Sequence, residues 1–210
     1  MKYKDSDFKS SEEMYFSWWL EELVEIGYIL DYKYEPEPII LSEAVNVEYA
    51  EVKKRVVNIK KHKLLHEKSY TFDFEILWDL NSEGVFYNSF YGDVRIGKPT
   101  LYPFEVGNVI YPRSRVEIKG EWDNSNMTRL FKSNQKTAFD KKGIYVSLTK
   151  MPSLFKETFT PKRFLMTDKN VRERVIHWDV VSSSDYIKSQ KEMTDDMIDR
   201  YRKIFANEKK

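Results

Sequence analysis

The sequence predicts an α/β fold, in which short strands are combined with a few well-delimited helices. Residues 70–76 and 115–120 both alternate apolar and polar side chains with a period of two, which is typical of a strand with one buried face. Capping-type residues at Ser10, Asp123 and Ser182 precede stretches in which a helix is expected. Strand and helix signals therefore occur along the whole chain.

Size and composition suit one domain, or one domain with an appendage. The chain has 210 residues, 15% of them aromatic, so we expect a substantial, aromatic-rich core. It has no cysteine, which excludes a disulfide framework and thiolate metal sites and fits a reducing cytoplasm. No apolar run approaches the ~18 residues of a membrane helix, and the first residues do not resemble a signal peptide. We therefore expect a cytoplasmic protein that does not contact a membrane.

The first part of the chain should form a helix and then several strands. Residues 1–9 are expected to be disordered. Ser10, with Glu13 three residues later, predicts a helix that runs to about Ile26 and ends at Gly27. The apolar stripe of this helix should be Phe16, Trp19, Leu20, Leu23 and Ile26. Further strands are predicted over residues 28–34, 39–41, 45–52 and 55–59.

The middle of the chain should be less regular. Residues 79–114 are rich in glycine and proline and predict a turn-rich insertion with short hairpins. A strand around Glu117, a helix to about Phe139 and a strand over residues 144–148 should follow.

The last part of the chain should be an extension of the core. A short helix is expected near residues 170–176, and a long final helix should run from the Ser182 cap to about Phe205. We therefore predict a core over residues 10–150, with the insertion at 79–114, and a C-terminal extension over residues 151–210.

Two of the predicted strands carry two acids and a lysine in a pattern that suits phosphodiester hydrolysis. Asp73 lies on the polar face of the first strand, while Glu117 and Lys119 share the polar face of the second. If the strands pair, both carboxylates can converge on one divalent cation. Clustered carboxylates repel each other unless a positive charge lies between them, which favours a metal site. The alternative is an ordinary solvated sheet face, since Glu-x-Lys is common on such faces.

Four segments, taken in order, resemble a known family. They are a Ser-x-x-Glu helix start at Ser10, a Tyr-Thr-x-Asp-Phe segment around Asp73, the run Val-Glu-Ile-Lys-Gly-Glu-Trp-Asp ending at Asp123, and a helix with Gln135 followed by a strand. Together they resemble the phage-type endonuclease I family of Holliday-junction resolvases, within the restriction-endonuclease-like PD-(D/E)XK group. The chain departs from the family pattern at Phe72, where the family has proline, and in the long interval between Asp73 and Glu117.

The resemblance implies a fold and an activity. The fold would be a restriction-endonuclease-like mixed central β-sheet flanked by helices, with the inserted hairpin-rich region and the C-terminal helical extension added. The activity would be Mg²⁺-dependent cleavage of branched DNA by a phage-encoded homodimer, with Mn²⁺ as a substitute metal. Asp73, Glu117, the Ile118 carbonyl and Glu13 would hold the metal, with Glu12 as the alternative helix acid. Lys119 would orient the attacking water.

Several basic or polar residues are candidates for contact with DNA. Residues 53–68 carry seven Lys or Arg against one acid, and predict a phosphate-contacting loop with Lys60, Lys61 and Lys63. Arg129, Gln135 and Lys136 on the helix after Glu117 are further candidates. The alternative for residues 53–68 is a solvated loop without a binding role. The alternative for the three helix residues is an ordinary polar helix surface. The net charge of +1 is lower than is usual for proteins that bind nucleic acid.

Other functions stay open. One alternative is a nuclease with another DNA target, such as a nicking, end-cutting or repair enzyme. Another is a non-catalytic DNA-binding or phage structural protein on the same fold. For Glu13, the alternative role is to complete a capping box with Ser10. The histidines at 62, 66 and 177 are too scattered to predict a zinc site.

Overall fold

The computed structural model describes residues 2–54, 56–89, 102–107, 112–121, 126–166 and 173–208. The helices in these ranges are α1 Ser11–Glu25, α2 Asn126–Lys142, α3 Ser153–Glu157 and α4 Ser183–Glu208. The strands are β1 Ile29–Tyr34, β2 Ile39–Ser42, β3 Val45–Lys53, β4 Val56–Leu65, β5 Lys68–Tyr70, β6 Phe74–Trp78, β7 Tyr87–Ser89, β8 Phe104–Val106, β9 Arg113–Gly120 and β10 Val146–Met151. None of the helices described has both the length and the apolar character needed to cross a bilayer.

A four-stranded mixed sheet forms the centre of the molecule. Its strand order is β1-β6-β9-β10, with antiparallel pairing of β1 to β6 and of β6 to β9, and parallel pairing of β9 to β10. Phe74 of β6 pairs with Val116 of β9. The two strands that were expected to carry the acids are therefore neighbours, which is the condition for their carboxylates to converge.

An aromatic core fills one face of this sheet. Phe16 and Trp19 of α1 pack there against Phe74, Trp78 and Phe104. In β9, Val116 and Ile118 point into this core while Glu117 and Lys119 do not, so the predicted alternation is confirmed. The core also includes side chains from the C-terminal part of the chain: Leu154, Phe155, Phe159, Phe164, Tyr186 and Ile187.

A second, smaller core lies on the other side. There Phe131 and Ala138 of α2 pack with Val146 of β10. Leu41, Tyr70 and Phe72 complete the same cluster. Helices therefore flank the mixed sheet, and the α/β prediction is confirmed at this level. The predicted start of α2, residues 123–125, lies outside the described residues.

The first helix follows its prediction closely. Ser10 is the N-cap and its hydroxyl accepts a hydrogen bond from the Glu13 amide at 3.2 Å. Gly27 has a φ of +79°, a conformation that glycine adopts without steric cost, and it follows the end of the helix. The apolar stripe is buried except for Ile26, which is 41% exposed because it lies at the C-cap, beyond the surface that the sheet covers.

Residues 2–9 pack on the fold, so the expectation of disorder is wrong there. Asp5–Asp7 form a short 3-10 helix. The ring of Phe8 lies 4.9 Å from that of Tyr34 and 6.2 Å from that of Phe74. The Tyr3 hydroxyl accepts a hydrogen bond from the Tyr34 amide. Two aromatic side chains thus find apolar surface that the sequence alone did not reveal.

Three other expectations need correction. The strand predicted over residues 70–76 is broken, because Phe72 turns to the α2 side while Phe74 enters the main core. In the described parts of the 79–114 insertion, β7 and β8 pair in parallel and do not form a hairpin. Residues 173–176 are not helical, since Glu173 instead forms a β-bridge with Met166.

The basic segment before Asp73 is a strand and not a loop. Strand β4 pairs with β3 along its whole length, and the two form an antiparallel ribbon that we call the arm. Almost every residue of the arm is exposed, including Val52, Val57 and Ile59, which are 60–68% exposed. Alternating β-branched residues favour this strand, even though the core does not cover it.

Candidate active site

Asp73 lies immediately before the first residue of β6, beside strand β9. Because Phe74 pairs with Val116, the chain entering β6 brings Asp73 next to residues 117 and 118. The backbone N–H of Ile118 donates a hydrogen bond to Oδ2 of Asp73 at 2.6 Å. The end of β6 therefore anchors this carboxylate against β9 at the point where the ladder between the two strands stops.

Glu117 is held from two sides. The Nζ atom of Lys119 lies 2.9 Å from Oε1 of Glu117, and the Tyr70 hydroxyl donates to Oε2, also at 2.9 Å. The side chains of Glu117 and Lys119 are only 12% and 14% exposed. The pair is thus largely withdrawn from water, where charge–charge interactions are stronger than at an open surface.

The positive charge of Lys119 does not fully offset the negative charges of the acids in this site, as the pKa of Asp73 indicates. Burial, and then the neighbouring charge of Glu117, raise the pKa of Asp73 from 3.8 to about 7. The charge of Glu13 raises this pKa further, while the Ile118 N–H and Lys119 oppose the shift. Near neutral pH the Asp73 carboxyl is thus partly protonated in the metal-free protein. A bound cation would favour its charged form.

Glu13 belongs to the same site through α1. Its Oε2 atom accepts hydrogen bonds from the Tyr34 hydroxyl at 2.6 Å and from the Lys9 amide at 3.0 Å. In a capping box Glu13 would accept from the amide of Ser10, whereas here it accepts from the preceding residue. The first turn of a helix also favours a carboxylate electrostatically.

The neighbouring acid Glu12 points elsewhere. Its Oε1 atom lies 3.6 Å from where a Cβ atom of Gly120 would stand. Glu12 therefore borders the end of β9 beyond Lys119, while Glu13 acts electrostatically on Asp73. This division favours Glu13 as the helix acid of the site.

The donor set suits a hard cation with few protein ligands. In the part of the chain that the structure describes, no three His, Cys, Asp or Glu residues are grouped closely enough to form a metal cage. Magnesium is usually held by one or two carboxylates and keeps several waters. Asp73 and Glu117 meet that requirement. The N–H and C=O groups of one strand residue point to the same edge, so the Ile118 carbonyl faces the edge at which Asp73 lies.

The DNA-contact candidates are not gathered at these acids. Lys60 pairs with Glu51 at 2.6 Å and Lys61 with Glu48 at 3.4 Å, both within the arm. Successive strand residues face opposite sides, so Lys60 and Lys61 lie on opposite faces, and Lys63 shares the face of Lys61.

The three candidates on α2 differ in exposure. The Gln135 side-chain amide donates to the Val146 carbonyl at 2.5 Å, which ties α2 to β10. Arg129 and Lys136 are exposed. The contacts thus give Gln135 a structural role besides any role in binding, and leave the two basic side chains directed to the surface.

Three residues of the site were missed by sequence reasoning. Tyr70 and Tyr34 each hydrogen bond to a predicted acid, and both gain a raised pKa, mainly from burial. The Lys9 side chain pairs with Glu35, whose hydrogen bond and charge raise the pKa of Lys9, and the charges of Glu13 and Asp73 add to this rise. The sequence could have pointed to Tyr70, since it lies three residues before Asp73. In a continuous strand, however, the side chains of residues 70 and 73 would point to opposite faces.

Comparison of the chain with protein-family models, with curated proteins and with solved structures found no match. The contacts of Asp73, Glu117, Lys119 and Glu13, together with the motif order of the sequence, are thus what bears on function.

Proposed function

We propose that this protein is a Mg²⁺-dependent endonuclease with a restriction-endonuclease-like fold, acting in the cytoplasm on branched DNA such as Holliday junctions. One observation carries the proposal: Asp73, anchored by Ile118, lies beside a Glu117 that is paired with Lys119 in a site largely withdrawn from water. The order of motifs, which resembles the phage-type endonuclease I family, supports it. Branched DNA is recognised chiefly through shape and backbone.

In this proposal Asp73 and Glu117 hold the metal, with the Ile118 carbonyl as a third ligand and Glu13 near it. The raised pKa of Asp73 supports this assignment, since a carboxyl beside a second acid is stabilised by a cation. Once bound, Mg²⁺ supplies charge neutralisation at the phosphate and an activated water. Mn²⁺, which prefers the same oxygen ligands, is expected to substitute.

In this proposal Lys119 orients the attacking water. Its Nζ atom lies 2.9 Å from Oε1 of Glu117, which keeps its positive charge beside the two acids, where a water or a phosphate oxygen would bind. A cation placed there offsets the charge that develops on the phosphate during attack. Tyr70 and Tyr34 are positioning residues, because they hold Glu117 and Glu13 through their hydroxyl groups.

We also propose a homodimer, with the arm as the contact surface. Ala50, Val52, Val57 and Ile59 lie on one face of the arm, because Ala50 pairs with Ile59 and Val52 with Val57. A two-stranded ribbon alone is marginally stable in water, and an exposed apolar ribbon edge is a template for pairing with a second copy. Two active sites would let one enzyme cut both strands of a junction.

The proposed path of the DNA includes the arm and α2. Lys60, Lys61 and Lys63 on the arm and Arg129, Gln135 and Lys136 on α2 are the candidate contacts with phosphates. Such contacts fix orientation rather than read sequence.

Cleavage of a labelled four-way junction tests the proposal, beside linear duplex and single strand, with Mg²⁺ or EDTA. We expect Mg²⁺-dependent cutting of the junction that Glu117→Ala abolishes and that Glu192→Ala, on the exposed surface of α4, leaves unchanged. Cutting of the linear substrates instead would support the nuclease activity and contradict the selectivity for junctions. Binding without any cutting would favour a non-catalytic DNA-binding protein.

A further inference from the structure

An apolar cleft adjoins the end of the strand that carries Glu117 and Lys119. Its volume is about 320 Å³, within the roughly 300–1,000 Å³ range of small-molecule sites. Met151, on its floor, pairs with Gly120, the residue directly after Lys119. Glu12, at its edge, approaches Gly120 as well. The cleft therefore begins one residue from the candidate active site.

The walls of the cleft are aromatic. Phe164 lies at their centre, with ring centroids 4.8 Å from Tyr15, 4.9 Å from Phe155 and 6.1 Å from Trp178. Tyr15 and Trp178 are only partly buried. Hydrogen bonds fix these two rings, since Trp178 donates to the Thr160 hydroxyl and Arg174 donates to the Tyr15 hydroxyl, both at 3.1 Å. The cleft thus offers flat apolar surfaces that are already ordered.

Three charged side chains border these rings: Arg174, Glu12 and Lys156, whose Nζ atom lies 5.6 Å from the ring centroid of Trp178. The Arg174 guanidinium lies 4.4 Å from the ring centroid of Phe164 and 5.2 Å from that of Tyr15. Glu12 lies at the side of Gly120. A carboxylate there disfavours a phosphate group, whereas arginine and glutamate side chains both hydrogen bond to the edges of nucleic-acid bases. The chemistry therefore fits a neutral, flat ligand with polar edges.

We propose that this cleft receives one unstacked nucleobase next to the scissile phosphate. The inference rests on the proposed function and deepens it, because it assigns the enzyme a substrate with a base extruded or unpaired beside the cut. Trp178 supplies the stacking surface, on which the base takes the place of the exposed Lys156 side chain that lies over it, and Arg174 and Glu12 contact the edge of the base. A fully stacked duplex cannot place a base there without extrusion, and extrusion costs least at a branch or a mismatch.

The test combines abasic substrates with cleft variants. Substrates that lack the base at one nucleotide, moved stepwise across the cut, are cleaved by the wild type, by Trp178→Ala and by Trp178→Phe, with Tyr28→Ala as a control aromatic outside the cleft. Stacking of a base on an aromatic ring is worth about 1–3 kcal/mol, or roughly a fivefold to 150-fold change. We expect the kcat/KM of the wild type to decrease by a factor in that range when the missing base is at one particular nucleotide, and to stay unchanged when it is at any other. With the same abasic substrate, the kcat/KM of Trp178→Ala should decrease little, because this variant has already lost the stacking surface. Trp178→Phe should show the same decrease as the wild type.

The inference is overturned if the abasic loss is the same in wild type and Trp178→Ala at every position. A wild type that cuts nothing would refute the proposed nuclease activity separately. In that case 2-aminopurine, placed at the same nucleotides of bound DNA, decides the inference. A fluorescence change that Trp178→Ala removes and Trp178→Phe retains supports base uptake, and an identical signal in all three proteins contradicts it.

Discussion

Tyr70 donates its hydroxyl hydrogen to Glu117 across 2.9 Å, although 47 residues separate the two in the chain. Tyr70 ends β5, which pairs with β2 in a small sheet outside the central one. The bond therefore connects a peripheral element to the strand that carries Glu117 and Lys119, and it sets the orientation of the Glu117 carboxylate.

Tyr70→Phe removes this hydrogen bond with little change in volume. We expect kcat on a cleavable substrate to fall about fivefold to twentyfold with KM unchanged, because Glu117 loses its orientation. An unpartnered, partly buried acceptor costs about 1–3 kcal/mol, so the free energy of unfolding should drop as well. Steady-state kinetics and urea unfolding measure both quantities. Tyr28→Phe is the control, and an unchanged kcat in Tyr70→Phe would show that the bond plays no part in positioning.

Asp73 should make stability depend on pH in the metal-free protein. Its folded pKa of about 7 lies above the unfolded value of 3.8, so the folded state binds more protons between these values. The contribution of Asp73 to the free energy of unfolding is therefore largest below about pH 4, and it decreases as the pH rises to 7. Asp73→Asn should remove that fall and be more stable at pH 8 by up to about 4 kcal/mol. Urea unfolding in EDTA between pH 4 and 8 measures it, and parallel curves for the two proteins would contradict the assignment.

Magnesium should stabilise the folded protein through the same carboxylates. A ligand that binds only the folded state raises stability by about 2.7 kcal/mol at a hundred times its Kd. We expect the Tm of the wild type to rise with Mg²⁺ at pH 8, and the Tm of Asp73→Asn and of Glu117→Gln to change much less. Thermal unfolding with Mg²⁺ or matched NaCl separates metal binding from ionic strength. An equal rise in all three proteins would place the metal elsewhere.

The arm should determine the oligomeric state. Val57 and Ile59 lie on its apolar face and are 60% and 66% exposed. Introducing lysine at both positions (Val57→Lys with Ile59→Lys) would bury two charges in a dimer contact, so we expect a monomer where the wild type is a dimer. Light scattering after size exclusion gives the mass. Lys60→Ala on the opposite face is the control, and a monomeric wild type would refute the dimer outright.

The local features of the fold were readable from the sequence. The alternation at Val116, Glu117, Ile118 and Lys119 depends only on the strand period, and the Ser10 cap and Gly27 depend only on backbone chemistry. These elements position three of the four acidic and basic site residues, so the sequence could indicate which of these side chains lie near one another, while the role of the site stays a prediction.

The parts that could not be predicted depend on tertiary contacts. The turn of Phe72 to the α2 side follows from Leu41, Phe131 and Val146 being there to receive it. The arm contains strand-forming residues that would suit a buried sheet equally well, and nothing local states that its faces remain uncovered. The parallel pairing of β7 with β8 likewise arises from long-range packing.

The composition of the main core has a consequence for synthesis on the ribosome. Trp19 stacks on Phe159, and Phe86 contacts Tyr186, so residues far apart in the sequence complete this core. A nascent chain therefore cannot close its core until some 186 residues have been made and have left the exit tunnel. The strands that carry Asp73 and Glu117 emerge long before that moment, yet they have no complete core to rest on. Translation thus delays assembly of the site until residue 186 has emerged.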